Sequence, residues 1–171
     1  VYQKKITTNF TTWFLWSIIG LALLLTYRSS GASESIWPAV FGFTNPLLIF
    51  ILTCRAKNKW KKLEFAEQVC MAIGLSSLLM WFFMKDSKYL SQYALYVAII
   101  ADACAAYPTI TFLWNNPLED RPFAWGFFSI GYGLAIFAVT EPIPSNYVLP
   151  IYMWLGSLCV TIPLVGYRVK N

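Results

Sequence analysis

Long apolar runs, separated by short charged connections, dominate the sequence. Six runs carry almost no charge, and they span residues 6–27, 35–54, 68–84, 89–118, 122–140 and 142–167. Each can supply the roughly 17–25 residues that a membrane-spanning helix needs. No connection is long enough to separate domains. The pattern therefore predicts an all-α, multi-pass membrane helix bundle that forms a single transmembrane domain over residues 1–171, with no β-sheet.

Composition supports the membrane prediction. Apolar residues make up 58% of the chain and charged residues 12%, and the mean hydropathy is +0.55. A soluble domain carries about 25% charged residues. The first apolar run is also too long for the core of a cleavable signal peptide.

Basic residues set the predicted orientation. The connection Arg55–Lys62 holds five of them, so the positive-inside rule places this loop in the cytoplasm. Alternation then puts the C-terminus on the same side, together with ten of the thirteen basic residues: Lys4, Lys5, Arg55, Lys57, Lys59, Lys61, Lys62, Arg121, Arg168 and Lys170. We therefore expect an integral membrane protein with this loop and the C-terminus in the cytoplasm. The net charge of +5 is then a topology signal and an attraction to anionic lipid, and nucleic acid is not an expected partner.

Several kinds of chemistry are excluded or disfavoured by residue types. The chain has no histidine, which removes histidine-metal sites, axial-histidine haem and histidine-based triads. Its cysteines (Cys54, Cys70, Cys104 and Cys159) are scattered singly, so a redox pair or zinc site is not expected. The last run lacks the lysine that a retinal protein needs. No nucleophile–base set is visible, so we expect neither an enzyme nor a cofactor.

The sequence predicts an internal repeat at an offset of 112 residues. Without a gap, this offset aligns Trp13 with Trp125, Ser17 with Ser129 and Pro38 with Pro150. Repeat 1 would cover residues 1–55, a connector helix residues 64–84 and repeat 2 residues 90–168. The second repeat has three helices and the first has two, so we expect the intact protein to have a seventh helix ahead of this chain. A single connector makes the two three-helix repeats parallel, a plan that secondary transporters use.

Three short motifs carry a resemblance to a known family. They are Asp102-x5-Pro108-Thr109, Trp125-x2-Phe128-Ser129 and, in the first repeat, Trp13-x2-Trp16-Ser17. With the helix plan they resemble the PQ-loop superfamily, which includes SWEET sugar transporters and lysosomal amino-acid exporters, and most closely its small bacterial seven-helix members. The signature Pro-Gln is replaced here by Pro108-Thr109. The resemblance implies transport of a small polar solute, such as a sugar, by alternating access, and its bacterial members imply location in a bacterial inner membrane.

Asp102 is the acidic residue farthest from either end of an apolar run. An ionisable group deep in a membrane helix is costly and usually faces other protein or a wet cavity. Three roles fit it. It could bind a proton or cation that couples transport, accept hydrogen bonds from a polar substrate, or pair with a hydroxyl or indole to hold two helices together. We expect Pro108 to break its helix, with a polar loop over residues 114–121.

Further polar positions are substrate-site candidates. SWEET transporters carry an asparagine in the substrate site on the helix that holds Asn45 here, and its counterpart on the last helix is Ser157. An amide can hydrogen-bond a hydroxylated solute, although asparagine and serine also commonly join helices. Trp154 lies deep in the last run and could stack on a sugar ring. The predicted substrate site is Asn45, Asp102, Ser157 and Trp154.

Four residues are candidate hinges or gates. Pro46, Pro108 and Pro163 lie inside apolar runs, where each removes a backbone donor and bends its helix. Tyr132 lies between two glycines, which indicates either close helix packing or a small gate. Pro38 and Pro150 are expected only to mark helix starts.

The sequence thus predicts a carrier of a small polar solute that is embedded in membrane lipid. The rival hypothesis is a non-transporting membrane subunit or receptor-like scaffold that docks a partner. A homo-oligomer or a membrane partner subunit is compatible with either hypothesis.

Overall fold

The computed structural model describes residues 10–32, 34, 36–55 and 62–170 of the chain. These residues form six α-helices and no strand: α1 (Phe10–Ser29), α2 (Ile36–Arg55), α3 (Phe65–Met84), α4 (Lys88–Asn115), α5 (Pro122–Phe137) and α6 (Pro144–Lys170). The all-α prediction is confirmed, and the helices follow the apolar runs closely.

Five of the six helices are long and apolar enough to cross a membrane, so the chain is an integral membrane protein. The exception is α5, which has 16 residues. At ~1.5 Å per residue it is about 24 Å long, short of a ~30 Å hydrocarbon core. Its predicted run continued to Thr140, but the chain leaves the helix after Phe137. The backbone N–H groups of Thr140 and Glu141 instead donate to the carboxylate of Glu34.

Two prolines were assigned wrongly from the sequence. Pro108 does not break its helix, because α4 continues past it to Asn115. A proline removes only one backbone donor, and a helix can bend around it. The hydroxyl of Thr111 donates to carbonyl oxygens in the same turn, those of Tyr107 and Pro108. Pro150 likewise lies inside α6 rather than marking its start.

The core is centred on α1, which packs against α2, α3 and α4. Its side chains Leu15, Ile19 and Leu23 are fully or almost fully buried. Close approach to α2 depends on Gly20, since a Cβ atom there would lie 2.5 Å from the carbonyl oxygen of Gly42. Buried alanines on α4, including Ala98, similarly allow close packing.

Helices that are neighbours in sequence form three packed pairs: α1–α2, α3–α4 and α5–α6. Helix α4 joins them, because it packs against α1 on one side and α6 on the other. The Trp114 indole adds a 2.8 Å hydrogen bond from α4 to the Cys159 carbonyl of α6. Helix α2 touches α5 and α6 only lightly. The predicted division into two repeats and a connector stays a prediction.

The connections gather at two ends of the bundle. The end that we call the Glu34 end contains the α1–α2 and α5–α6 connections, joined by the bond from Glu141 to Glu34, and the start of α4. The Arg168 end contains the α4–α5 connection, where the Arg168 guanidinium donates 2.7 Å to the Asp120 carbonyl. It also contains the starts of α1 and α3, where Thr12 donates 2.9 Å to Glu67.

The predicted cytoplasmic orientation rests on basic residues that lie largely outside the described part of the chain. The described residues do not include residues 56–61 of the Arg55–Lys62 loop, nor Lys4 and Lys5. The side chain of Lys170 is likewise not described. The orientation therefore stays a prediction.

Candidate functional site

The buried carboxylate of Asp102 is bound by a phenol from another helix. Asp102 lies at the middle of α4 and is 6% exposed. The Tyr152 hydroxyl of α6 donates a 2.6 Å hydrogen bond to its Oδ2 atom. This length is typical of O–H donors to charged oxygens, which form the strongest hydrogen bonds in proteins. The bond ties α4 to α6 at mid-helix.

A second tyrosine, Tyr132 of α5, lies within electrostatic range of Asp102. Its ring stacks on Phe128 with 5.9 Å between ring centroids. We call Asp102, Tyr132 and Tyr152 the Asp102 cluster. Within the described residues, neither lysine nor arginine is among the groups that act on Asp102. The carboxylate therefore depends on a phenol, rather than on a cation, for its stabilisation.

Ser157 lies in a hydroxyl cluster between α5 and α6. The Ser129 hydroxyl is 3.0 Å from that of Ser157 and 3.2 Å from that of Thr161. Ser157 and Thr161 donate to carbonyl oxygens of their own helix at 2.9 and 2.8 Å. The cluster is internally satisfied, so it stabilises the α5–α6 pair without needing a solute. The substrate role predicted for Ser157 stays a prediction.

Trp154 packs against α5 through Gly133. A Cβ atom at Gly133 would lie 3.2 Å from the indole Nε1 atom. Gly133 therefore makes room for the indole, which fits the close-packing alternative for this glycine, whereas nothing lies within 4 Å of the Cβ position of Gly131. The stacking role proposed for Trp154 is untested.

Asn45 lies on the opposite helix pair, on α2. Its side chain is half-buried and has no hydrogen-bond partner among the described residues. The neighbouring Pro46 is buried inside the helix. Within the described part of the chain, the amide of Asn45 is therefore uncommitted.

All three candidate hinge prolines lie inside continuous helices. Pro46 is in α2, Pro108 in α4 and Pro163 in α6. Pro108 is exposed on the bundle surface, whereas Pro163 is half-buried. Pro108 lies six residues beyond Asp102 on the same helix, about 9 Å along the helix axis. Their hinge role, and the gate role of Tyr132, stay predictions.

Sequence reasoning missed Tyr152, the direct partner of Asp102. It anticipated only that a hydroxyl or indole could pair with the carboxylate. A signal was present, because tyrosine in membrane proteins usually lies at the two interfaces. Tyr152 and Tyr132 each lie near the middle of an apolar run. A mid-run tyrosine on a neighbouring helix is the pattern that would have identified them.

Comparisons of the chain with protein-family models, curated proteins and solved structures found no match. The resemblance to the PQ-loop superfamily therefore stays a prediction that rests on three motifs. In the fold, these motifs fall on three helices: the Trp13 motif on α1, the Asp102 motif on α4 and the Trp125 motif on α5.

Proposed function

We propose that the protein transports a small polar solute, such as a sugar or similar metabolite, across the membrane by alternating access. The observation that carries the proposal is the Asp102–Tyr152 pair. Placing an aspartate at the centre of a spanning helix costs ~2.5–3.5 kcal/mol on the insertion scale. A hydrogen bond to a charged group contributes about 1.5–3 kcal/mol, so the bond from Tyr152 at best offsets this cost. Pairing of α4 with α6 therefore gives no net stability that would explain the carboxylate.

Three features support two parallel repeats. Ser17 and Ser129, equivalent at the 112-residue offset, each have their hydroxyl within hydrogen-bond distance of the carbonyl oxygen four residues earlier, at 2.7 and 3.0 Å. The Asn146 amide contacts the Glu34 carboxylate at 3.5 Å, and these two residues are also 112 apart. Helices α2 and α6, which the offset makes equivalent, touch as well. Residues contact their own counterparts only beside a symmetry axis, so this axis would pass between α2 and α6.

The proposed solute site lies along the seam between α2 and α6. The free amide of Asn45 would supply a donor and an acceptor from the α1–α2 pair. Asp102 and Trp154 would act from the other side, Asp102 by exchanging the Tyr152 hydrogen bond for one from the solute or a proton. Losing that bond would loosen α4 from α6, and Pro108 lies close enough on α4 to bend in response.

The test is uptake by the full-length protein in proteoliposomes, with a panel of sugars and small polar metabolites and an imposed pH gradient. Asp102→Asn keeps the side-chain shape but removes the titration. We expect this variant to fold and bind solute, to keep exchange between equal pools and to lose pH-driven accumulation. Asp86→Asn is the control, because Asp86 is an exposed acid at the end of α3. An unchanged pH profile in Asp102→Asn would make Asp102 a structural residue or a plain substrate contact.

A non-transporting subunit or receptor-like scaffold is the second candidate. It is favoured by the near-complete enclosure of Asp102 and by the internally satisfied hydroxyl cluster. Water access at Asn45 separates the two functions. In a background lacking the native cysteines, Asn45→Cys should react with a charged, water-soluble thiol reagent if the seam opens. A cysteine that stays unreactive, together with no uptake of any solute, supports the scaffold.

A further inference from the structure

A cavity of about 620 Å³ opens at the Glu34 end of the bundle, away from the Asp102 cluster. The described part of its wall comes from three separate connections and helix ends: Arg28, Gly31, Ala32, Ile36, Lys88 and Glu141. A bare ion would leave most of this volume empty, whereas small organic ligands occupy pockets of roughly 300–1,000 Å³.

Two cations, Arg28 and Lys88, belong to the described part of the cavity wall. Arg28 is in the last turn of α1, and Lys88 is the first residue of α4. Both are exposed, and neither forms an ion pair with another described residue. A guanidinium group binds phosphate through two parallel N–H bonds, and lysine binds it as a point charge. The pair is therefore suited to an anionic oxygen cluster.

The aliphatic stem of Lys88 packs against the turn at Gly31. Gly31 has a φ of 86°, a left-handed conformation that strains other residues. A Cβ atom at this position would also lie 3.1 Å from the Cδ atom of Lys88. Glycine at position 31 thus allows the left-handed turn of the chain and leaves room for the aliphatic stem of Lys88.

Glu34 positions the backbone of Glu141, which supplies the carboxylate of the cavity wall. The Glu34 carboxylate accepts hydrogen bonds from the backbone N–H groups of Thr140, at 2.7 Å, and Glu141, at 2.8 Å, and from the Thr140 hydroxyl. The Thr140 hydroxyl and then the Glu141 backbone lower the pKa of Glu34 below its ordinary value of 4.5. Glu34 therefore stays charged at neutral pH and holds the segment with Glu141 at the cavity rim.

We propose that this cavity binds a zwitterionic ethanolamine phosphate group, with the phosphate on Arg28 and Lys88 and the ammonium on Glu141. The charge pattern matches this chemistry, since two cations and one carboxylate face one volume. The cavity also lies at an end of the helices, at the depth where phospholipid headgroups begin. The group could come from a phospholipid headgroup or from free phosphoethanolamine.

Binding of defined lipids to the full chain, followed by native mass spectrometry in detergent, tests the proposal. Arg28→Gln and Lys88→Gln should each weaken binding of a phosphatidylethanolamine about tenfold or more, because each removes a charge-assisted contact to phosphate. Lys85→Gln is the matched control. Lys85 has the same charge at the same end, but its ammonium lies over the Trp81 and Phe82 rings, 5.8 and 5.3 Å from their centroids.

Glu141→Gln tests the ammonium half of the site. It should abolish a preference for phosphatidylethanolamine over phosphatidylglycerol while retaining phosphate binding. An unchanged preference overturns the zwitterionic assignment. Equal weakening in Lys85→Gln overturns the site, because it would show only general surface attraction. If soluble phosphoethanolamine shows the same losses, the source can be a free solute; binding of the lipid alone assigns the headgroup.

Discussion

Tyr152 and Asp102 should be energetically coupled through their hydrogen bond, and a double-mutant cycle measures this coupling. Tyr152→Phe removes the donor but keeps the ring. At 2.6 Å, a bond to a charged oxygen contributes about 1.5–3 kcal/mol. In the Asp102→Asn background the same change removes only a neutral interhelical bond, worth ~0.6 kcal/mol. The expected coupling is therefore about 1–2 kcal/mol.

Equilibrium unfolding is measured in mixed micelles by titration with a denaturing detergent, followed by circular dichroism. It gives the free energies of unfolding of the unmodified protein, the two single variants and the double variant. Tyr147→Phe is the control, because Tyr147 is a half-buried tyrosine on the same helix without a described hydrogen-bond partner. It should change the free energy of unfolding by less than about 0.5 kcal/mol. Costs at Asp102 and Tyr152 that add within about 0.5 kcal/mol would refute the coupling. The carboxylate would then not be held by α6.

Three further predictions concern packing, pH and the hydroxyl cluster. Gly20→Ala should destabilise the protein by about 1–3 kcal/mol, because its methyl group would overlap the α2 backbone, whereas Gly131→Ala should be neutral. Glu34→Gln should flatten the acid limb of the thermal-stability profile. The pKa of Glu34 is lowered in the folded state. Its contribution to the free energy of unfolding is therefore present above pH 4.5 and is lost as the pH falls through the folded-state pKa. Ser129→Ala should cost ~0.6–1.7 kcal/mol, and Ser17→Ala close to nothing.

Each of these three predictions has an outcome that would contradict it. Equal effects of the two glycine substitutions, measured by unfolding in micelles, would mean that α1 and α2 are not in close contact. An acid limb unaffected by Glu34→Gln would show that the hydrogen bonds between Glu34 and Thr140 do not stabilise the fold. Among the described residues, Ser17 bonds only within its own helix. A Ser17→Ala cost as large as that of Ser129→Ala would therefore show that the cross-helix bonds contribute nothing.

The helices could be predicted from sequence because a membrane imposes a simple rule on composition. Apolar length alone located all six. Special residues mark the starts of two of them in the structure: Pro122 opens α5, and Glu64 with Glu67 forms the capping box of α3. The end of α5 could not be predicted in this way. It is set by Glu34, a residue about 100 positions earlier that competes for the backbone donors of the same segment.

The site was only partly predictable for a related reason. Local pattern identified Asp102 as exceptional, but it did not say which helix faces it, so Tyr152 was not named. It placed Ser157 and Asn45 together by analogy, whereas Ser157 bonds within the α5–α6 pair and Asn45 lies on α2. Contacts between helices far apart in sequence depend on bundle geometry, which apolar length does not encode.

The pairing of sequence neighbours also has a consequence for biogenesis. The nascent chain can insert α1 and α2 as a hairpin, since their connection is short and costs little entropy to close. Helix α1, however, also packs against α4, which starts about 60 residues after α1 ends. At ~5–20 residues per second of translation, its inner face would meet lipid for about 3–12 s before that partner emerges. Leu15, Ile19 and Leu23 on this face are apolar, which makes such an intermediate tolerable in the bilayer.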